Sequence, residues 1–329
     1  MKIGILCSVG SGGKDRMRSV CERLNTKWAE EHTLICVEGY GGGYFPGAAI
    51  IDTPDSGGYA KMLGSAATSL VEAGARMLTV LGGDGTAAYA ADALIQNGCN
   101  DIPIFGIAMG TANVGPIVTH NAFDNGIPPV ERLRTEKAGA VDVLDGDKHV
   151  AYAFNDAVIG NTLLATVDGK TITVDAGLLA GEGRIVPMAP TDRIADKLTI
   201  KKNGLRSVSA LRGISQIIAS PVERDNFYGR AVTGILCSAP HTANKAAILI
   251  SEHPVITMEQ EEEGFDRPAA VEQMMFGARD SIELFGVCDN ALIIIDGNPY
   301  LRFNETIKLR YIPEIITIAF DRGDPDEGK

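Results

Sequence analysis

Several short stretches of this chain combine glycine, carboxylate, hydroxyl and amide groups in an order suited to phosphate chemistry. The first is Thr79-Val80-Leu81-Gly82-Gly83-Asp84-Gly85-Thr86. An apolar run passes directly into glycines, a carboxylate and a hydroxyl. Glycines let a backbone approach a phosphate without a Cβ clash. A helix starting just beyond them would aim N–H groups and a partial positive charge at the same anion. Asp84 is out of place in a plain anion site. Its charge makes sense if it holds Mg²⁺ on the phosphates or accepts a proton from an attacking hydroxyl. The plain alternative is a glycine-rich turn with Asp84 as helix N-cap. No Gly-Lys-Ser/Thr follows, so this is not a Walker loop. With a glycine on each side, the Asp84 carboxylate is expected to stand clear of packing at the loop tip.

A second loop, Gly110-Thr111-Ala112-Asn113-Val114-Gly115, repeats the design after the apolar run Ile102–Ile107. Open parallel sheets bind ligands at such strand ends. Asn113 can both donate and accept hydrogen bonds to a nucleotide, or it can cap a helix. A third loop, Ser8–Lys14, could cover phosphates or be a flexible turn. Asn155-Asp156 interrupts the apolar run Ala151–Ile159. A polar pair there is costly without partners, so it calls for a ligand, a hydrogen-bond network or a strand end. The run Glu259–Glu263 reads as a solvated acidic loop, and Asp296-Gly297 as a hairpin turn. No metal site is expected from the dispersed cysteines and histidines.

The elements that must position these loops change character along the chain. Ile3–Cys7, Leu34–Val37, Ala48–Ile51, Met77–Leu81 and Ile102–Ile107 read as strands. Lys14–Glu31, Tyr59–Ala73 and Ala87–Gln96 read as helices between them. Continuous apolar strands alternating with helices predict a parallel sheet covered on both faces. Farther on, hairpin signals recur at Asp145-Gly146, Asp168-Gly169, Asn203-Gly204 and Asp296-Gly297. Ile307, Leu309 and Tyr311 alternate with Lys308 and Arg310, as in a sheet with one wet face. One late helix is expected, over Pro268–Gly277. The reading is an α/β nucleotide-binding domain over 1–138, then a mainly antiparallel β-rich substrate domain over 139–329. Its tail is expected to return to the first domain.

Bulk properties exclude other classes. A net charge of −12 opposes nucleic-acid backbones and anionic membranes. No apolar run approaches the roughly 18 residues of a membrane span. Met1–Leu6 reads as a first strand and not as a signal peptide. Six scattered cysteines point to free thiols in a reducing compartment, so a cytoplasmic location is expected.

On these residues the chain resembles the NAD kinase and diacylglycerol kinase superfamily. Gly82–Thr86 resembles the signature of NAD kinases, diacylglycerol and sphingosine kinases and, more distantly, phosphofructokinases. Gly110–Asn113 resembles the second glycine loop of the lipid kinases, and Asn155-Asp156 the Asn-Glu/Asp pair of NAD kinases. The overall likeness is to the ATP-NAD kinase-like proteins called acetoin catabolism protein X. The resemblance implies ATP and Mg²⁺ as cofactors and a cleft between an α/β domain and a β-sandwich-like domain. Asp84 would be the catalytic carboxylate, with Gly82, Gly83, Gly85, Thr86, Gly110, Thr111 and Asn113 on the nucleotide. Asn155 and Asp156 would hold the acceptor, facing Gly82–Thr86. A homo-oligomer acting on a small-molecule nucleotide or dinucleotide is implied. The Thr-Gly-Ser-Thr-Ala-Tyr motif of NAD kinases has no match in Gly234–His241. That missing motif weighs against NAD, which the other motifs make the first acceptor to test. A lipid or small alcohol, or a non-catalytic nucleotide sensor, are the alternatives.

Overall fold

The computed structural model describes residues 1–8, 13–52, 57–109, 113, 115–167, 170–189, 193–222, 245–258, 270–300 and 306–321. The chain divides into two compact units: Met1–Ala138 with Glu314–Lys329, and Gly139–Pro313.

The strands of the first unit include β1 (Lys2–Cys7), β2 (Thr33–Val37), β3 (Ala49–Ile51), β4 (Met77–Gly82) and β5 (Ile104–Ala108). The helices α1 (Lys14–Trp28), α2 (Tyr59–Glu72) and α3 (Asp84–Gln96) alternate with them. The sheet order is β3-β2-β1-β4-β5, and each of these pairings is parallel. Ile318 of the returning tail also pairs parallel, with Ile104. All six residues of β4 are buried, as a strand covered on both faces requires. α2 buries Leu63, Ala66, Ala67 and Leu70, and α3 buries mainly alanines. Small side chains let the two helices approach closely. A Cβ built on Gly64 would lie 3.1 Å from the Ala93 Cβ. Trp28 is fully buried at the end of α1, and its indole N–H donates to Pro128 O at 2.8 Å.

The second unit is built from antiparallel pairs. Lys245–Ser251 lies between Gln216–Val222 and Val271–Gly277, and Ala157–Gly160 lies between Gln216–Val222 and Leu292–Ile295. Thr199–Lys202 and Ser281–Phe285 belong to a second sheet, where Ser281–Leu284 pairs with Ile307–Arg310. Ile159, Ile217, Ile248 and Ile293 from one sheet share a core with Ile200, Ile282, Leu309 and Tyr311 from the other. The expected change from a parallel to an antiparallel architecture is met. No helix among the described residues is long and apolar enough to cross a membrane.

Two elements differ from the sequence reading. Val271–Gly277 is a strand, not part of a helix, with each of its seven residues paired to Lys245–Ser251. A helix of about ten residues is marginal by itself, and the long-range pairing outweighs its local preference. Ala176–Glu182 is a helix that the sequence reading passed over. Its signals were present. Asp175 caps it by accepting from Leu178 N at 2.8 Å, and Gly183 ends it in a left-handed conformation. Gly177 and Gly181 within it lowered the apparent propensity. The Ser11-Gly12, Asp168-Gly169, Gly234–His241 and Glu259–Glu263 stretches lie outside the described residues.

Candidate functional site

The strand order reverses its direction of growth between β1 and β4, which makes this the switch point of the parallel sheet. Crevices outside the carboxyl ends of strands at such a point are where open α/β sheets bind ligands. Ser8 follows β1 here, and Gly82 ends β4. Ser8 N donates to Leu81 O at 2.8 Å, and Ser8 Oγ lies 3.0 Å from the Tyr59 hydroxyl. Tyr59 in turn meets Tyr89 edge-on, with ring centroids 6.4 Å apart. Burial, then Tyr59, pushes the Tyr89 phenol up to about 12, so the Tyr89 ring stays neutral here.

Gly82 is needed for close packing. A Cβ there would fall 2.9 Å from the Thr86 Cβ and 3.2 Å from the Ser8 Cβ. Gly83 is the N-cap of α3, and its carbonyl accepts from both Thr86 N and Ala87 N at 3.1 Å. Asp84 is therefore the first helical residue, and the capping alternative does not hold for it. Its carboxylate is not clear of packing either. It is half-buried, and Oδ2 accepts from Gly115 N at 3.0 Å. Asn113 is also close, since a Cβ on Gly83 would lie 3.4 Å from Asn113 Oδ1. The structure thus brings Gly82, Gly83, Asp84 and Thr86 together with Asn113 and Gly115. Gly110 and Thr111 lie outside the described residues.

In the second unit, Phe154–Asp156 is not a strand. It is a bend between Lys148–Ala153 and Ala157–Gly160. Asn155 Nδ2 donates to Asp156 Oδ2 at 3.0 Å, and Ser220 Oγ donates to Asn155 O at 2.5 Å. Asn155 is buried, and its Oδ1 finds no hydrogen-bond partner among the described residues. Asp296, read from sequence as a hairpin turn, is that and more. Its carboxylate is buried and accepts from Phe154 N, Asn155 N and Asp156 N at 2.8–2.9 Å.

Residues 50–145 match the diacylglycerol kinase catalytic domain model. One uncharacterized protein from Archaeoglobus fulgidus is 41% identical over 100 residues. That match spans 30% of this chain and only 29% of the relative's length. Yeast NADH kinase in complex with NADH superposes over 97% of this chain and 82% of its own, with a TM-score of 0.52 at 12% identity. A proposed diacylglycerol kinase from Bacillus anthracis superposes over 96% of each chain, with a TM-score of 0.53 at 12% identity. These superpositions show a shared fold, and the diacylglycerol kinase match is confined to residues 50–145. The matched segment contains both the Gly82–Thr86 and the Gly110–Gly115 loops.

The sequence shows Asp296 only as a turn residue, and its hold on Phe154–Asp156 is seen only in the structure. An Asp-Gly pair between apolar strands signals a turn, and nothing local shows where the carboxylate points. Burial first, then the Asp156 carboxylate, push the Asp296 carboxyl up to about 8, against three backbone N–H donors that favour the anion. With a raised native value, the folded state keeps a proton that the unfolded chain releases near about pH 4. The native state then binds more protons in that window, and stability falls as pH rises through it. The urea midpoint of the second unit is therefore expected to fall from about pH 5 to about pH 8, with Asp296→Asn flattening the slope. A midpoint that holds or rises over that range would show Asp296 ionised throughout.

Proposed function

We propose that this protein transfers a phosphoryl group from ATP to a hydroxyl acceptor, with NAD as the first acceptor to test. The observation that carries this reading is the meeting of two glycine-bearing loops around Asp84 at the switch point of a parallel sheet. Phosphoryl transfer asks a protein mainly for positioning and charge stabilisation. A half-buried carboxylate fixed by a backbone N–H, beside an amide and a helix N-terminus, supports both.

The donor chemistry fits Mg²⁺, which takes hard oxygen ligands and commonly one or two carboxylates along with substrate phosphates. Asp84, with Asn113 nearby, would hold it. When bound, the ion would supply charge neutralisation on the transferring group. Gly82, Gly83, Gly85 and Thr86, with Gly110, Thr111 and Asn113, would hold the nucleotide. Asn155 and Asp156 would hold the acceptor, because a buried amide oxygen beside a carboxylate accepts from hydroxyl or N–H groups.

A second reading, a lipid or small-alcohol kinase, is favoured by the diacylglycerol kinase model that matches 50–145. The finer likeness to acetoin catabolism protein X rests on the motif residues alone. A cytoplasmic homo-oligomer remains part of the proposal.

A thermal-shift panel of ATP, ADP, NAD, NADP, diacylglycerol and small diols, each with and without Mg²⁺, separates these readings. A ligand that binds only the native state raises the melting temperature, by about 2.7 kcal/mol of stability at a hundredfold excess over its dissociation constant. ATP is expected to stabilise the protein in a Mg²⁺-dependent way, and NAD to add to it. A shift with diols or diacylglycerol and none with NAD would select the second reading. No shift with any nucleotide would end the kinase reading.

A further inference from the structure

The bend that carries Asn155 and Asp156 is held from a distant point of the chain. Asp296 Oδ1 accepts from Asn155 N at 2.8 Å and from Asp156 N at 2.9 Å, and Oδ2 accepts from Phe154 N at 2.9 Å. Asp296 N donates back to Asp156 O at 2.9 Å. Three successive backbone N–H groups converging on one point form an anion-binding concavity. Here a side chain of the same protein fills it, at 5% exposure.

The hairpin does not explain this choice of residue. Asp296 and Gly297 have φ of 49° and 78°, the left-handed pair of a type I′ turn. Asn203-Gly204 makes the same kind of turn in the same unit, with φ of 53° and 81°. Asn or Gly would therefore serve the backbone at 296 equally well. Three N–H donors require a group whose two oxygens both accept, which a carboxyl group supplies even when one oxygen carries a proton, and which an amide does not. Asparagine would set its NH₂ against Phe154 N–H. The identity of residue 296 is thus dictated by the bend at 154–156 and not by its own turn.

That bend is what aligns the pair. It separates two strands, holds Asn155 and Asp156 side by side, and lets Asn155 Nδ2 donate to Asp156 Oδ2 at 3.0 Å. The bond fixes the amide so that its buried oxygen, without a partner among the described residues, is left to accept. We propose that Asp296 is a positioning residue, whose carboxyl group locks the Phe154–Asp156 backbone so that Asn155 and Asp156 are presented to the acceptor substrate. Asp296 acts through this backbone. The proposal rests on the reading that the pair binds the acceptor.

The test uses the full chain with Asp296→Asn and Asp296→Gly, both compatible with the left-handed turn, and Asn203→Ala as a control in the sister turn. Amide exchange by NMR reads the backbone, and calorimetry with NAD and with Mg²⁺-ATP reads binding. In both Asp296 variants the amides of 154–156 are expected to exchange at least about tenfold faster, with those of β4 unchanged. NAD affinity is expected to weaken at least about tenfold and ATP affinity to stay within about threefold, since only the acceptor side loses its alignment. Asn203→Ala is expected to lower the melting temperature without changing either affinity.

Unchanged exchange at 154–156 would overturn the proposal. So would an equal loss of NAD and ATP affinity, or the same selective loss in Asn203→Ala. Failure of both Asp296 variants to fold, with Asn203→Ala folded, would assign Asp296 a purely structural role. If the unaltered protein does not bind NAD, the NAD reading falls by itself, and the exchange measurement alone decides the role of Asp296.

Discussion

Replacing Asp84 with Asn is expected to lower phosphoryl transfer at least about a hundredfold, the lower range for losing an acid–base or charge-stabilising group. Binding should survive. Asparagine keeps an oxygen that can accept from Gly115 N, which now bonds Asp84 Oδ2 at 3.0 Å. The start of α3 should also persist, because Thr86 N and Ala87 N bond the Gly83 carbonyl and not the Asp84 side chain. Nucleotide and dinucleotide affinity should therefore stay within about tenfold, a cost near 1.4 kcal/mol. The negative charge does its work mainly where charge shifts on the transferring group, so the loss should appear in turnover. Calorimetric binding and a phosphoryl-transfer assay on the same two proteins give the comparison. Equal rates would reduce Asp84 to a loop-fixing residue. No turnover in either form would favour a nucleotide sensor.

Gly106→Ala is expected to be the most damaging single methyl group in the first unit. A Cβ there would lie 2.4 Å from Ile117 O and 2.7 Å from Val118 Cα. Both are backbone atoms, so no rotamer change relieves the clash. Gly106 pairs with Val118, the first residue of the short strand Val118–His120 on the edge of β5. The substitution must push that strand away. A cost of about 3 kcal/mol or more follows from overpacking against fixed atoms. For a unit of this size it corresponds to a fall in melting temperature of roughly 6–12 °C. Gly43→Ala is a suitable control, because nothing lies within 4 Å of its added Cβ. Calorimetry showing the same melting temperature for both variants would mean that β5 and the 117–118 backbone separate freely.

The parallel sheet of the first unit was readable because its signal is local. Continuous apolar strands such as Met77–Leu81 alternate with stretches like Tyr59–Ala73, whose apolar residues recur at helical spacing. Burial on both faces then leaves one arrangement for such strands. The helix expected over Pro268–Gly277 was misread because Val271–Gly277 is decided by Lys245–Ser251, some twenty residues earlier in the chain. Local pattern cannot show a partner strand. The helix Ala176–Glu182 was hidden for the opposite reason: its caps are local, but its glycines weaken the helical pattern between them.

The sequence by itself determined the two kinds of sheet and the chemistry available at their loops: glycines, one carboxylate, and an amide–carboxylate pair. These follow from residue type and short-range spacing. Only the tertiary structure decided which groups meet. It set the Asp84 carboxylate on Gly115 N, thirty-one positions away, and ruled out the capping role that the sequence left open. It turned Asn155-Asp156 from a strand interior into a bend, and gave that bend to Asp296, about 140 positions away. The physical reason is the same in each case. A buried backbone N–H must find an acceptor wherever the fold brings one, and the identity of that acceptor is not written next to it in the chain.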